Sequence, residues 1–319
     1  MKIVVLDGYT LNPGDNPWSE LSRLGDLTVY DRTAAGDVVA RAAAAEIALT
    51  NKTVIAADMI AALPKLRFIA VLATGYNVVD IAAAGQRGIP ISNVPEYGSA
   101  GVAQLTMALL LELCHRAGDH ARAVADGAWT RAPDFSFWLA PLIELTGLTM
   151  GIVGFGRIGR QVAELAHAFG MRVIAASTSR RDAPDYEGFA WRSIPELFAE
   201  ADVISLHCPL TADNAQFVNR DLLARVKATA FLLNTARGGL IDEAALAAAL
   251  AGERLAGAAV DVLSSEPPRR DNPLVGAPNC IITPHIAWAS LRSRRALMAA
   301  TVRNVKAFLA GQPINVVNP

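Results

Sequence analysis

The sequence predicts an α/β protein in which parallel sheets are covered by helices. Short β-branched runs alternate with alanine-rich stretches of helical period, the pattern of strands joined by crossover helices. That alternation occurs in two series, one on either side of a long helical stretch. The 319 residues amount to about two domains at roughly 150 residues each.

The first series places strands at 3–6, 27–30, 47–49, 68–72 and 91–94, the last bracketed by Pro90 and Pro95. Segments 37–45 and 57–63 carry too few charges on one side to be free surface helices, so they are expected to pack on that sheet. Residues 98–115 follow as one long helix, with Val102, Leu105, Leu109 and Leu113 at three-to-four spacing; it is a candidate bridge between domains. Segment 126–147 is irregular and holds Trp129, Phe135, Phe137 and Trp138, aromatic side chains that need burial under the loop or in a partner subunit. The second series places strands at 149–153, 172–176, 203–207, 231–234, 257–261 and 280–283, enough for one complete doubly wound domain. A final helix at 290–310, with Arg292, Arg294 and Arg295 early and Leu297 and Val302 as apolar contacts, is expected to return to the first domain.

Composition excludes several classes of function. Lysine plus arginine number 29 against 30 aspartates plus glutamates, a formal net charge of -1, which argues against general affinity for nucleic acid or acidic membrane. Hydrophobic residues make up 52% and charged residues 18%, the balance of a globular chain. The longest apolar candidate, 105–111, is interrupted by Thr106 and ends at Glu112, well short of the ~18 residues of a membrane span. The start of the chain is too short an apolar stretch for a signal peptide, so a cytoplasmic protein is expected. The three cysteines, Cys114, Cys208 and Cys280, form no CxxC pair and are expected as buried free thiols. No two of the five histidines have the i, i+4 spacing of a helical metal site, and no metal is expected.

Gly154-Phe-Gly156-Arg157-Ile158-Gly159 is a GxGxxG directly after an apolar strand and at the opening of a helix. The first glycine permits the tight turn, the second lets a pyrophosphate approach the backbone, and the third lets the helix lie close to the strand. Backbone N–H groups at that helix start, from Arg157 and Ile158, then hold the anion. The helix runs through Val162, Leu165 and Ala166 to Gly170. After the next strand, where NAD enzymes place an acidic residue on the ribose, the chain reads Ser177-Thr-Ser-Arg180-Arg181-Asp182. Hydroxyls and a bidentate guanidinium suit a 2′-phosphate, so NADP is expected over NAD, with Arg180 as main contact and Arg181 as second. A solvated loop is the alternative, and Asp182 reaching the ribose would reverse the preference.

Three polar groups follow successive strands on one sheet edge: Arg237 in Asn234-Thr235-Ala236-Arg237-Gly-Gly, Glu266 in Asp261-Val-Leu-Ser-Ser-Glu266-Pro, and His285 in Thr283-Pro-His285-Ile. Asp242 and Glu243 fit the start of the helix behind Arg237. Hydride transfer to a 2-keto acid needs a proton for the carbonyl oxygen and a cation for the carboxylate. His285 can supply the proton, Glu266 can fix its tautomer and favour the charged form, and Arg237 can orient and polarise the substrate.

With His207-Cys-Pro209-Leu-Thr211 and Pro284-His285-Ile-Ala, these motifs stand in one order over nearly the whole chain, which resembles the D-isomer-specific 2-hydroxyacid dehydrogenases. The resemblance implies two doubly wound parallel-sheet domains, a Rossmann dinucleotide domain at 99–287 inserted in a flavodoxin-like substrate domain at 1–98 and 288–319, with the active site between them. It implies Arg237, Glu266 and His285 as catalytic triad and a homodimer formed through the dinucleotide domain. It also implies that Leu72, Ala73, Thr74, Gly75 and Tyr76 offer backbone N–H groups to the substrate carboxylate. Asp261 would hold the nicotinamide carboxamide, and Pro209, Thr235 and Ala236 would line the cofactor.

Three positions depart from the family pattern. Ser177 replaces the usual acidic ribose ligand, in keeping with NADP. Asn77 stands where relatives often have Asp. Trp288 stands where relatives often have a small residue; with Tyr76 at a pocket edge it would favour small substrates such as glyoxylate or hydroxypyruvate, and helix packing is its other reading. The expected activity is reduction of those 2-keto acids, equivalently D-glycerate oxidation. D-lactate or another D-2-hydroxy acid, or a non-catalytic dinucleotide-sensing corepressor-like binder, are the alternatives. A phosphoglycerate dehydrogenase is disfavoured by the lack of room for a regulatory domain, and a formate dehydrogenase by Glu266, where that relative has glutamine.

Overall fold

The computed structural model describes residues 1–180 and 182–319. By its internal contacts the chain divides into two compact units, Met1–Gly98 with Trp288–Pro319, and Ser99–Ala287.

The first unit contains strands β1 (Lys2–Val5), β2 (Asp26–Val29), β3 (Ile47–Thr50), β4 (Phe68–Val71) and β5 (Ile91–Ser92). They form one sheet in the order β2-β1-β3-β4-β5, every neighbouring pair parallel, which is the flavodoxin-like doubly wound arrangement. Alternate residues leave a strand on opposite faces, and the two faces build separate cores. Val4, Ala48, Ile69 and Val71 face one cluster, while Ile3, Val5, Ile47, Leu49, Phe68 and Ala70 face the other. The C-terminal helix Leu291–Leu309 completes the second cluster with Leu297, Met298, Val302 and Val305. Phe308 stacks on Phe68 with ring centroids 4.5 Å apart and planes 7° from parallel. Each Leu or Ile fully buried in this way contributes about 1.5–3 kcal/mol, which is what draws the chain's last helix onto its first sheet.

The second unit contains β6 (Thr149–Val153), β7 (Arg172–Ala176), β8 (Ala190–Trp191), β9 (Val203–Leu206), β10 (Phe231–Asn234), β11 (Gly257–Val260) and β12 (Cys280–Ile282). Their order is β12-β11-β10-β9-β6-β7-β8, again parallel throughout, the strand order of the dinucleotide-binding doubly wound fold. β6, β9, β10 and β11 are buried along their whole length, as expected of strands covered on both faces. Ile204, Leu206, Leu232 and Val260 enter one core, and Met150, Ile152, Val203 and Leu233 the other.

Two details differ from expectation. β8 adds a seventh strand to the six read from the sequence; a two-residue Ala-Trp pair carries no periodicity to detect. In the helix Ser99–His115 the buried set is Val102, Ala103, Thr106, Met107, Leu109, Leu110 and Cys114, a broader stripe than the four expected positions. Leu105 and Leu113 are half-buried at its margin, and Leu165 of the helix Arg157–Ala168 is exposed. Among the described residues no helix is long and apolar enough to cross a membrane.

Candidate active site

β6 ends on the glycine turn, and each glycine does a different job. Gly154 takes φ +94°, and a Cβ there would strike the backbone of His207 and Cys208 at the end of β9. A Cβ on Gly159 would collide with the carbonyl oxygen of Gly154, so helix and turn lie in contact. At Gly156 a Cβ would meet nothing within 4 Å. Gly156 is also the N-cap of the helix Arg157–Ala168, and no side chain caps that first turn. An open approach to an uncapped helix start fits the pyrophosphate of a dinucleotide, since the N–H groups and the helix dipole both favour an anion there.

Beyond β7, Ser177 is half-buried, and Thr178, Ser179 and Arg180 are exposed. Asp182 turns to Arg160 of the dinucleotide helix. Arg181, the second candidate for the 2′-phosphate, lies outside the described residues.

The loops after β10, β11 and β12 carry Arg237, Glu266 and His285, and they are locked to one another. Asn234 folds the first as an Asx turn: its side-chain oxygen accepts the Ala236 N–H at 3.0 Å and its amide donates to the Arg237 carbonyl at 2.9 Å. Gly238 sits so tightly against the Leu263–Ser264 backbone that no side chain fits there. Asp261, 1% exposed, accepts hydrogen bonds from the Thr283 hydroxyl at 2.5 Å and from the N–H groups of Ile286 and Ala287 at 2.9 and 2.8 Å. It therefore pins the loop that presents His285, a positioning task that its motif did not announce. Thr235 likewise turns inward, its hydroxyl 3.0 Å from that of Thr106.

Glu266 Oε2 lies 2.6 Å from His285 Nδ1, and the Leu263 N–H holds Oε1 at 3.0 Å. Their side chains remain 35% and 28% exposed, so the pair is reachable. An ionised carboxylate only accepts, so Nδ1 carries a hydrogen and Nε2 is left to exchange a proton. His285 adopts φ +54°, a left-handed conformation uncommon outside glycine and often found where a catalytic side chain must be aimed. Arg237 is exposed at the same sheet edge, one guanidinium nitrogen donating to the Ala236 carbonyl at 2.7 Å. His207 is the other histidine at this end of the sheet. Burial lowers its pKa to about 4, so it is neutral in the physiological range, with Nε2 2.8 Å from the Ser205 hydroxyl.

The family model for the NAD-binding domain of D-isomer specific 2-hydroxyacid dehydrogenases matches residues 107–287. The chain belongs to this family. It is 48% identical over 321 residues to a hydroxypyruvate reductase of Blautia hydrogenotrophica, covering 100% of both chains. It is 38% identical over 319 residues to a glycerate dehydrogenase of Methylorubrum extorquens, covering 99% of this chain and 98% of that one. Among solved structures, the NADPH-dependent glyoxylate/hydroxypyruvate reductase of Sinorhizobium meliloti, in complex with NADP and malonate, superposes with a TM-score of 0.83 at 29% identity, over 99% and 96% of the chains. The second unit is thus the nicotinamide-dinucleotide domain of an oxidoreductase.

In the first unit of this dehydrogenase, the loop after β4 is held from behind. Asn51 donates to the Leu72 carbonyl, Asn93 to the Thr74 carbonyl, and the Thr74 hydroxyl to the Val94 carbonyl. The Leu72 N–H is committed to the Thr50 carbonyl, because the sheet ladder extends that far. Leu72 is therefore corrected from an amide donor to an anchor. Among the described residues, no acceptor pairs with the N–H groups of Ala73, Thr74, Gly75, Tyr76 and Asn77, a cluster suited to a carboxylate. Trp288 is half-buried and packs edge-on to Tyr97, ring centroids 6.4 Å apart, beside the helix-side core of this unit.

The three cysteines are free, and burial pushes the thiols of Cys114 and Cys280 up to about 11 and that of Cys208 above its ordinary value. Within segment 126–147, Phe135 is 90% and Trp138 67% exposed, and Trp129 donates its indole N–H to the Phe135 carbonyl. The aromatic residues are not buried by their own loop.

Proposed function

We propose that this dehydrogenase reduces small 2-keto acids, hydroxypyruvate and glyoxylate foremost, with NADPH preferred over NADH. The observation that carries the reading is the Glu266–His285 pair at 2.6 Å, with Nε2 free to exchange a proton, in a chain 48% identical end to end to a hydroxypyruvate reductase. When bound, the nicotinamide supplies the hydride. Gly154, Gly156, Gly159 and the amides of Arg157 and Ile158 hold the pyrophosphate, while Pro209, Thr235 and Ala236 line the cofactor. Asp261 keeps the His285 loop in register beside it.

His285 delivers its Nε2 proton to the carbonyl oxygen as negative charge develops there, and Glu266 stabilises the charged imidazole before transfer. Arg237 pairs with the carboxylate and polarises the adjacent carbonyl; in the first unit, the amides of Ala73, Thr74, Gly75 and Tyr76, unpaired among the described residues, are suited to an anion in their own right. Trp288 and Tyr76 limit the side chain of the acid to a small group. Ser177 and Arg180 support the NADPH preference, because a hydroxyl and a guanidinium tolerate a phosphate that a carboxylate would repel.

Reduced-cofactor absorbance followed with hydroxypyruvate, glyoxylate, pyruvate and phosphohydroxypyruvate, each with NADPH and NADH, tests the whole reading. Fast turnover of the first two with NADPH is expected. A preference for pyruvate or for NADH would remove the corresponding specificity argument, and no turnover with any pair would move the chain to the binder class.

A second copy of this chain is the expected cover for the exposed aromatics of segment 126–147, giving a homodimer through the dinucleotide domain. Replacing Phe135 and Trp138 together by Asp should shift the sedimentation coefficient from that of a dimer to that of a monomer; an unchanged dimer would place the interface elsewhere.

A further inference from the structure

The segment that follows β7 carries both signs of charge: Arg180 and Arg181, then Asp182, the single carboxylate in Ser177-Thr-Ser-Arg-Arg-Asp182. Asp182 adopts φ +47° and its side chain is 86% exposed, yet two of its oxygens face one guanidinium. Arg160 Nη1 donates to the Asp182 carbonyl, and Arg160 Nη2 lies 3.6 Å from Asp182 Oδ2. Arg160 belongs to the first turns of the helix Arg157–Ala168, and its guanidinium lies over the Phe155 ring, 4.9 Å from the centroid. Phe155 is the buried residue between Gly154 and Gly156. One cation therefore ties the glycine turn to the far end of the segment that follows the second strand of the domain.

We propose that Arg160 is a positioning residue for cofactor specificity, holding the Asp182 carboxylate so that it neither repels a 2′-phosphate nor bonds a free ribose diol. The inference rests on the reading that segment 177–182 meets the 2′ position of the adenosine ribose. A carboxylate near that position favours NAD by accepting from the diol, and opposes NADP because two like charges are brought together. Paired with a guanidinium and fixed through its backbone carbonyl, the same carboxylate does little of either. The pair explains how a segment with an acidic residue can remain suited to a phosphate. It also gives Arg160 a role distinct from Arg180: Arg180 attracts the phosphate, and Arg160 restrains the residue that would repel it.

Adenosine 2′,5′-bisphosphate and AMP differ only by the 2′-phosphate, so calorimetric dissociation constants of the two on the full-length protein isolate the effect, with NADPH and NADH titrated in parallel. Arg160→Gln is expected to weaken the bisphosphate about five- to tenfold relative to AMP, more than an exposed ion pair alone is worth because the released carboxylate faces a dianion. Adding Asp182→Asn to Arg160→Gln should bring the ratio back to within about twofold of Asp182→Asn alone, as expected when one residue acts through the other. Equal weakening of both ligands by Arg160→Gln would overturn the proposal, since it would reduce Arg160 to packing of the helix on Phe155. A loss that persists in the double variant would overturn it as well. The wild-type ratio separately judges the NADP reading: if wild type binds AMP as tightly as the bisphosphate, that reading fails, while the change in ratio on Arg160→Gln still decides the role of Arg160.

Discussion

Each unit has a point where strand order reverses, between β1 and β3 in the first and between β6 and β9 in the second, and doubly wound folds bind ligands at such points. The two crevices are built in opposite ways. After β6 the chain passes through Gly154 and Gly156 straight into a helix that carries Gly159 in its first turn and has no side-chain cap. After β1 it meets Asp7, whose carboxylate accepts the N–H groups of Asn51, Lys52 and Thr53 at 2.7, 2.6 and 2.7 Å, then runs through a long loop to the four-residue helix Ser19–Ser22. Asp7 supplies internally the anion that a phosphate would supply. One topology thus gives an uncapped helix start after one strand and, after the other, a turn filled by its own carboxylate, and the residues at the strand end decide which.

The largest effect expected from this contrast is on chemistry, because the Glu266–His285 pair proposed to move the proton lies in the unit with the uncapped helix start. His285→Ala should lower kcat by ~10² to 10⁴, the range for loss of a general acid, while the dissociation constant for reduced cofactor stays within about twofold. Single-turnover absorbance and calorimetry check the two halves, and unchanged turnover would remove His285 from the mechanism. Next in size is Gly156→Ala. The methyl group meets no protein atom within 4 Å, so the melting curve of the free protein should move little, whereas cofactor affinity should fall about tenfold or more because the pyrophosphate loses its approach. Unaltered affinity would mean that the open space at Gly156 is not the phosphate site.

The asymmetry was only half legible in the sequence. The glycine turn, Arg237, Glu266 and His285 can be read because each comes within six residues of the end of a largely apolar strand, and local order in the chain becomes local order along one sheet edge. Asp7 could not be read: it acts on a turn 44 to 46 residues away, and nothing local distinguishes it from a solvated aspartate. Asp261 was legible as a motif residue but not as the clamp of the His285 loop, since its partners are 22 to 26 residues on. The tie from Arg160 to Asp182 depends on the path of an irregular segment, which composition does not determine.

Asp7→Ala removes the carboxylate that fills the turn at Asn51–Thr53. Three backbone donors would lose their acceptor, and the Asn51 residue among them is buried, so the first unit should lose about 1–3 kcal/mol of stability while cofactor affinity is unchanged. Denaturant unfolding together with cofactor titration separates the two. A parallel loss of affinity would show that the self-filled crevice also serves the dinucleotide.

The smallest effect concerns the loop that replaces a long helix after β1. Arg294 of the C-terminal helix holds Asp15 in that loop with both terminal nitrogens and also donates to the Leu11 carbonyl, which Asn16 shares. The hydrogen bond and charge of Arg294 hold the Asp15 carboxyl below its ordinary value. Unfolded chain therefore takes up the proton at a higher pH than folded chain does. The stabilisation is fully present above the ordinary carboxylate range near 4 and is lost as pH falls through the lower folded value. Asp15→Asn should lower the melting temperature slightly at pH 7, and the gap to wild type should narrow on acidification to about pH 3. A gap that stays constant with pH would assign the contribution to hydrogen bonds that asparagine cannot remake, rather than to charge. In that case the loop would be fastened as Asp7 fastens its turn, by matching donors to acceptors, and salt would leave the gap unchanged.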